Sequence, residues 1–328
     1  MKDIYKKIQE QFFSLNISHI SEPKDQLHLY ADYIELVCII SNDYVSQRDI
    51  IDRLIDSGVE FKLEKEKLDG EIGQIDSEIY DLEESWIINI FEYLKERAVN
   101  FGANYPFIID SNGIIFSKDK LNDSQYLYVY LLLSSSLNYF KTVKHELTSE
   151  FEIISEKALQ SYLPNAVVYG FGSNTIFKGN AKEKIKNLAK EINIEVKERI
   201  LNQISKHNSK EEGLDIVGWL PFKDNNPNTI IIFGQCACGQ NWLNKQNETR
   251  RYDRFYESYL LPFIHALFVP HDFRNYNGEF GFDKDINNHT LVFERRRILE
   301  LLDNFTFDNS FDSKLIVDKC IEYVEDIV

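Results

Sequence analysis

The sequence has few cysteines, no long apolar run and fewer basic than acidic residues. Four cysteines among 328 residues are too few for a disulfide framework, and only Cys236 and Cys238 lie close together in the chain, so we expect reduced thiols. The longest apolar stretch, residues 126–133, is well short of the roughly 20 residues that a membrane span needs. Residues 1–7 do not lead into the apolar core of a secretory signal. These absences predict a cytoplasmic protein without a membrane segment.

The formal net charge is −16, which argues against a generally basic surface that binds nucleic acid without discrimination. The excess acid is concentrated in residues 1–146, which hold 26 acidic and 15 basic residues. The remainder of the chain carries local basic clusters. These clusters weaken the argument against nucleic-acid binding that the net charge provides.

The length and a change of pattern near residue 144 predict two domains. Over residues 1–143 the apolar spacing predicts a mostly helical domain, with one short β-hairpin that turns at 111–113. The predicted helices cover residues 3–14, 30–41, 47–55, 85–99 and 123–139, and a charged segment over 61–82 favours an exposed helix or a hairpin of helices. We find no group of reactive side chains in this domain, and we expect it to act as a sensor, a dimerisation element or a docking site for a partner protein.

Residues 144–328 are predicted to form a mixed α/β domain. A helix over 147–162 ends before Pro164, a β-rich run covers 166–171, and a helical stretch covers 177–207. Two strands follow, over 214–219 and 230–235, and the almost entirely apolar second strand is typical of a central strand covered on both faces. Further helices are predicted over 252–268 and around Arg297 and Ile321.

Each of the two strands carries one oxygen-bearing side chain among apolar neighbours: Asp215 in the first and Gln235 at the end of the second. Magnesium prefers oxygen donors and takes only one or two carboxylates from a protein. Glu152, on the helix over 147–162, is the candidate third ligand, with Glu150 and Glu156 as alternatives. Structural roles also stay open, with Asp215 as a turn cap or the partner of a buried arginine and Gln235 as a core amide.

Four segments together resemble the PD-(D/E)xK restriction-endonuclease-like nucleases, particularly members whose third motif begins with glutamine. The segments are the helix with Phe151-Glu152 and Ala158-Leu159, residues 167–172, residues 213–217 and residues 232–235. The resemblance covers about residues 144–265. It implies a restriction-endonuclease-like core and a phosphodiesterase that uses Mg²⁺ or Mn²⁺, with Glu152, Asp215 and Gln235 as metal ligands. It also implies an endonuclease whose expected substrate is DNA rather than RNA, in bacterial restriction or antiphage defence, which is an analogy at the level of the fold.

The chain departs from the family pattern at one position. The family's lysine normally lies two residues after the first residue of the third motif, where this chain has Ala237. Lys245, just after the second strand, is the first candidate to replace it, and Lys223, between the strands, is the second. The departure also supports an alternative function, in which a catalytically inactive nuclease-like domain serves as a binding or assembly subunit of a multi-protein system.

Arg250, Arg251 and Arg254 follow the second strand and are predicted to contact nucleic-acid phosphates. The arginines at 295–297 form a second cluster with the same potential, and both clusters can instead pair with neighbouring acids on a helix surface. His271 and Arg274 lie in an aromatic loop and either approach the substrate or support the loop.

Cys236 and Cys238 fall on the same side of a strand, which raises a third possibility, a zinc-binding interaction module. Such a site needs four ligands, whereas Cys38 and Cys320 are remote in sequence. Small thiols that pack beneath a helix are the better account of the pair.

Overall fold

A computed structural model describes residues 2–12, 15, 27–41, 43–56, 72–172, 175–205, 213–222, 224, 226, 228–257, 260–274, 286 and 289–323. The described chain is mixed α/β and divides into two compact units. Unit 1 contains Met1–Val143, Asp272–Gly281 and Thr306–Val328, and unit 2 contains Lys144–His271 and Phe282–Phe305. This division differs from the predicted second domain of residues 144–328, because the C-terminal segment belongs to unit 1.

Unit 1 is mostly helical. Its helices are α1 (Lys2–Phe12), α2 (Leu27–Ser41), α3 (Gln47–Asp56), α4 (Ile72–Phe101), α5 (Asp123–Ser135) and α10 (Asp312–Glu322). A small antiparallel sheet consists of β1 (Val45–Ser46), β2 (Phe107–Ile109) and β3 (Gly113–Phe116), in the order β1-β3-β2. The predicted hairpin at 111–113 is therefore confirmed, while residues 61–71 of the predicted charged helix lie outside the described residues.

Helices α2 and α5 are buried over most of their length. A helix that is apolar all round belongs in a core, which explains why neither has a marked polar face. Helix α5 starts with a capping box, in which the Asn122 side chain accepts from Gln125 N and the Gln125 side chain accepts from Asn122 N. Helix α10 packs against α1, α2 and α5, and this packing places the C-terminal segment in unit 1.

Unit 2 is built on a five-stranded mixed sheet. Its elements are α6 (Lys144–Tyr162), β4 (Val167–Gly170), α7 (Ala181–Glu191), β5 (Glu195–Val196), α8 (Glu198–Leu201), β6 (Ile216–Trp219), β7 (Ile231–Cys236), β8 (Tyr256–Glu257), β9 (Ile264–Phe268), β10 (Thr290–Phe293) and α9 (Arg295–Leu301). The strand order is β10-β9-β7-β6-β4, with β4, β6 and β7 antiparallel and β7, β9 and β10 parallel. Strands β5 and β8 form a separate antiparallel pair.

Strand β7 lies at the centre of the sheet, and its residues are buried up to the last one. The prediction of a central strand covered on both faces is confirmed. Two glycines let neighbouring groups approach the sheet closely. A Cβ on Gly218 would lie 3.2 Å from Leu159 Cδ2 of α6, and a Cβ on Gly234 would lie 2.9 Å from Phe268 Cε2.

The helix predicted over 252–268 is wrong. The region contains the end of a 3₁₀ helix (Thr249–Arg254), then β8, then the buried strand β9. A short apolar run that is buried on both faces has the same pattern in a strand and in a buried helix, so periodicity misassigned it. The helix predicted over 177–207 is only partly present. Helix α7 ends at Glu191, Asn193 has a φ of 53°, and the chain then forms the short strand β5 and the short helix α8. Among the helices of the described ranges, none has both the length and the apolar character of a membrane span.

Candidate functional site

Asp215 and Gln235 face each other at the ends of two antiparallel strands. Ile216 of β6 pairs with Gly234 of β7, and Asp215 N donates to Gly234 O at 2.9 Å, so the register continues to Asp215 and Gln235. Gln235 Nε2 donates to Asp215 Oδ2 at 2.6 Å, and Cys236 N donates to the same oxygen at 2.7 Å. Two N–H donors thus offset the cost of holding a carboxylate in this half-buried position.

Glu152 reaches the same strand ends from helix α6. Gly172 N donates to Asp215 O at 3.1 Å, and a Cβ on Gly172 would lie 2.7 Å from Glu152 Oε2. The absence of a side chain at this position therefore leaves room for the Glu152 carboxylate beside Asp215. Burial raises the pKa of the Cys236 thiol, and the charges of Asp215 and Glu152 raise that pKa further, as expected if both carboxylates lie near the sulfur.

The two alternative acids occupy other positions on α6. Glu156 is half-buried; burial raises its pKa, and a hydrogen bond from the Gly170 backbone opposes that shift. Glu150 is buried, with 8% of its surface exposed. Glu156 thus lies at the last residue of β4, whereas Glu152 lies beside Gly172, whose N–H bonds to the Asp215 backbone.

The amide oxygen of Gln235 is a buried acceptor without a hydrogen-bond partner, and the residue is 7% exposed. This oxygen lies 3.6 Å from the position of a Cβ on Gly213, and Glu248 Oε2 lies 3.1 Å from the same point. Gly213 has a φ of 85°, which is favourable only for glycine. An unpaired buried acceptor costs about 1–3 kcal/mol, so its retention here needs a physical reason.

Lys245 lies in a 3₁₀ helix (Trp242–Lys245), and its Nζ donates to Glu248 Oε1 at 2.8 Å. The Lys245 side chain is 49% exposed. The other oxygen of Glu248 and the Gln235 amide oxygen both lie near Gly213, so Glu248 connects the surroundings of the Asp215–Gln235 pair to Lys245. Ala237, at the expected lysine position, is buried at the end of β7, and Lys223 lies outside the described residues.

The three arginines predicted to bind phosphate occupy the 3₁₀ helix Thr249–Arg254, shortly after Lys245. Arg251 and Arg254 are exposed, and Arg250 is half-buried, with Nη2 donating to Thr290 Oγ1 at 3.4 Å. This helix therefore presents two accessible cations on the segment that follows the strand end of Gln235.

The arginines at 295–297 bond to other residues of unit 2. Arg295 is fully buried and its Nε donates to Pro270 O at 2.8 Å, whereas Arg297 Nη1 donates to Val292 O at 2.6 Å. Arg296 Nε donates to Glu300 Oε1 at 2.7 Å. A phosphate-binding role for Arg295 is therefore wrong.

A polar relay in unit 2 was not expected from the sequence. Thr249 Oγ1 lies at hydrogen-bond distance, 3.0 Å, from His265 Nδ1, whereas His265 Nε2 and Asp253 Oδ1 lie 3.1 Å apart as an ion pair without a hydrogen bond. The order hydroxyl, imidazole, carboxylate is that of a nucleophilic triad, but Thr249 is 1% exposed and its hydroxyl is closed to substrate. We interpret the relay as a brace that ties the 3₁₀ helix to β9.

The thiol pair does not acquire further metal ligands. Cys238 is buried and Cys236 is half-buried, and burial raises the pKa of both thiols. In the part of the chain that the structure describes, no group of three or more His, Cys, Asp or Glu side chains is placed to hold a metal ion. These observations do not support the zinc-binding module.

The loop residues have different positions. His271 is buried, its ring stacks at 6.5 Å on Trp242, and its Nε2 lies 3.3 Å from Gly239 O. Arg274 is half-buried and belongs to unit 1. We therefore interpret His271 as a support for the loop rather than a substrate contact.

Unit 1 contains a buried charge cluster, although the sequence suggested no such group in this domain. Arg97 Nη1 donates to Asp32 Oδ1 at 2.8 Å and to Glu35 Oε1 at 2.9 Å, and Arg97 Nε donates to Asp272 Oδ2 at 3.0 Å. Burial lowers the pKa of Arg97, but the surrounding acidic groups raise it well above its ordinary value overall. Two acids three residues apart within the otherwise apolar helix α2 were the available sequence signal.

Comparison of the chain with protein-family models, with curated proteins and with solved structures found no match. The functional assignment therefore depends on the site itself. Its distinctive features are the strand-end pair Asp215 and Gln235, the neighbouring Glu152, and the Lys245–Glu248 pair on the side of Gly213.

Proposed function

We propose that unit 2 is a restriction-endonuclease-like domain and that the protein is a metal-dependent nuclease whose site is centred on Asp215. The convergence of Glu152 from α6 and Gln235 from β7 on this carboxylate carries the proposal. The order helix α6, then β4, β6 and β7 as adjacent strands, supports the resemblance seen in the sequence.

The donor set fits Mg²⁺ or Mn²⁺. The site offers two carboxylates and one amide, all of them oxygen donors, and Mg²⁺ uses one or two carboxylates while water and substrate phosphate complete its shell. Gln235 now turns its Nε2 toward Asp215, which is the orientation that satisfies a carboxylate without a cation. The terminal torsion of a glutamine is soft, so a half rotation of the amide would direct the orphaned oxygen toward Asp215.

When bound, such a metal orients the phosphate, lowers the pKa of an attacking water and neutralises developing charge. The residues of the chain have separate tasks. Asp215 and Glu152 supply the anionic ligands, and the backbone N–H of Cys236 holds Asp215 in place.

Lys245 is the proposed cation beside the scissile phosphate. Its bond to Glu248 is a surface ion pair between residues three apart, and such pairs contribute only about 0–1 kcal/mol. A phosphate group can therefore compete for the ammonium. Arg251 and Arg254 are exposed and would bind neighbouring phosphates, which positions nucleic acid despite the acidic net charge.

The alternative is an inactive nuclease-like subunit that binds or assembles with partners. It is favoured by one observation, the buried Ala237 at the position where the family carries lysine. In both cases we propose that unit 1 docks a partner protein or forms a homodimer, and we propose antiphage defence as the setting.

The two functions are separated by assaying the purified protein on circular duplex DNA, single-stranded DNA and RNA, with Mg²⁺ or Mn²⁺. We expect DNA cleavage that EDTA abolishes, and a drop of at least tenfold in rate for Lys245→Met with little loss of metal binding. A metal-binding protein that cleaves none of these substrates would favour the assembly subunit.

A further inference from the structure

The Gln235 amide bonds to the Asp215 carboxylate at one end, and its other end faces Gly213, the glycine that the Glu248 carboxylate also approaches. Its Nε2 donates to Asp215 Oδ2 at 2.6 Å, while its Oε1 is unpartnered and lies on the side of Glu248. An amide has one donor end and one acceptor end, whereas two ionised carboxylates are both acceptors. Without a cation, one end of the amide must therefore face a carboxylate with no attraction between them.

A half rotation of the amide removes this conflict if a cation is bound at Asp215. The oxygen of Gln235 then becomes available as a ligand beside Asp215, and Nε2 takes the place that the orphaned oxygen now occupies. That place lies within 3.6 Å of the Cβ position of Gly213, and Glu248 Oε2 lies within 3.1 Å of the same point. Glu248 would then present a carboxylate acceptor on the same side of the amide as Nε2.

Resting on the proposed function, we propose that Glu248 is a positioning residue that accepts the Gln235 amide when Gln235 turns its oxygen toward the metal. Glu248 acts through Gln235 and does not itself hold the metal. Cation binding is coupled in this way to the exchange of one hydrogen bond, Gln235 to Asp215, for another, Gln235 to Glu248. Residues that orient metal ligands typically change metal affinity by about 10–100-fold when they are removed.

The position of Gly213 supports this coupling. Its φ of 85° suits glycine, and a Cβ there would lie 2.9 Å from Glu248 Cβ. The lack of a side chain at this point lets Glu248 approach the amide. Lys245 Nζ donates to the other oxygen, Glu248 Oε1, at 2.8 Å, so this ion pair leaves Oε2 on the side of Gly213.

The test measures Mn²⁺ binding to the full-length protein by electron paramagnetic resonance, with no nucleic acid present. We expect Glu248→Ala to weaken Mn²⁺ binding about 10–100-fold, because the turned amide loses its acceptor. Glu248→Gln keeps an acceptor oxygen, so we expect its Mn²⁺ affinity to stay within about threefold of the wild type. The loss of one exposed charge has only a small effect of this size. Glu257→Ala removes an exposed carboxylate of β8 in the same unit and is the matched control, with unchanged binding expected.

Three results would overturn the positioning role. In the first, Glu248→Gln weakens Mn²⁺ binding as much as Glu248→Ala, which would assign the effect to charge. In the second, Asp215→Asn leaves the affinity intact while Glu248→Ala abolishes it, which would place the cation on Glu248 itself. Normal Mn²⁺ binding in Glu248→Ala, together with its loss in Asp215→Asn, would reject the role of Glu248 and leave the proposed metal site standing. Mn²⁺ binding with the expected pattern but without cleavage of any nucleic acid would instead reject the nuclease function and keep the positioning role.

Discussion

The buried cluster around Arg97 leads to a stability prediction whose size follows from the structure. Arg97 is 2% exposed and bonds to Asp32, Glu35 and Asp272 at 2.8–3.0 Å. Arg97→Met keeps an unbranched side chain but leaves three buried carboxylates without their cation. Removing one partner of a buried ion pair costs about 3–5 kcal/mol, so we expect the free energy of unfolding to fall by at least about 3 kcal/mol. Because domains are stable by only about 5–15 kcal/mol, this is a large part of the total.

Lys95→Met on the same helix is the matched control. Lys95 pairs with Glu92, and the two side chains are 33% and 53% exposed. Exposed pairs contribute about 0–1 kcal/mol, so we expect this variant to unfold close to the wild type.

Urea denaturation followed by circular dichroism measures both variants, and hydrogen exchange in peptides from α2 and α4 reports on unit 1 alone. We expect faster exchange throughout these helices in Arg97→Met. A loss of less than about 1 kcal/mol, or a loss no greater than that of Lys95→Met, would refute the interpretation of Arg97 as the cation that holds the three acids together.

Two further predictions concern buried groups. Burial raises the pKa of the Cys38 and Cys320 thiols, so both stay protonated as the pH rises from about 7 to 9, through the ordinary thiol pKa. We therefore expect iodoacetamide to label them at pH 9 only after denaturation. Rapid labelling of these cysteines in the native protein, located by peptide mapping, would contradict their burial. Thr249→Val removes the hydroxyl beside His265 Nδ1, and we expect it to lower the free energy of unfolding by about 1–3 kcal/mol. Thr249→Ser keeps the hydroxyl and is the control. Equal unfolding midpoints for the two variants would show that the hydroxyl contributes nothing to stability.

The sequence predicted those parts of unit 2 that depend on neighbouring residues. The apolar run before Gln235 indicated a central strand, and β7 is one. Asp215 and Gln235 come together because two consecutive antiparallel strands pair in register, which requires only that their order be recognised. The role of Glu248 was not anticipated, because it follows from the space at Gly213 and from the orientation of an amide, and neither is visible in a residue pattern.

Elsewhere, the features that the sequence did not predict depend on contacts between residues far apart in the chain. Arg97 and Asp272 are 175 residues apart, so no local pattern links them. Strand β9 was predicted as a helix because a short run buried on both faces has the same pattern in either element, and only its pairing with β7 and β10 identifies it as a strand. The return of α10 to unit 1 likewise depends on packing against helices from the beginning of the chain.

The central claim is that Asp215 holds the metal of a nuclease. The most direct measurement is the rate at which the wild type and Asp215→Asn cleave circular duplex DNA in Mn²⁺, with both proteins confirmed as folded by circular dichroism. We predict measurable cleavage by the wild type and a rate at least about 100-fold lower for Asp215→Asn, because the lost carboxylate is a metal ligand. Cleavage by Asp215→Asn at the wild-type rate would contradict the account.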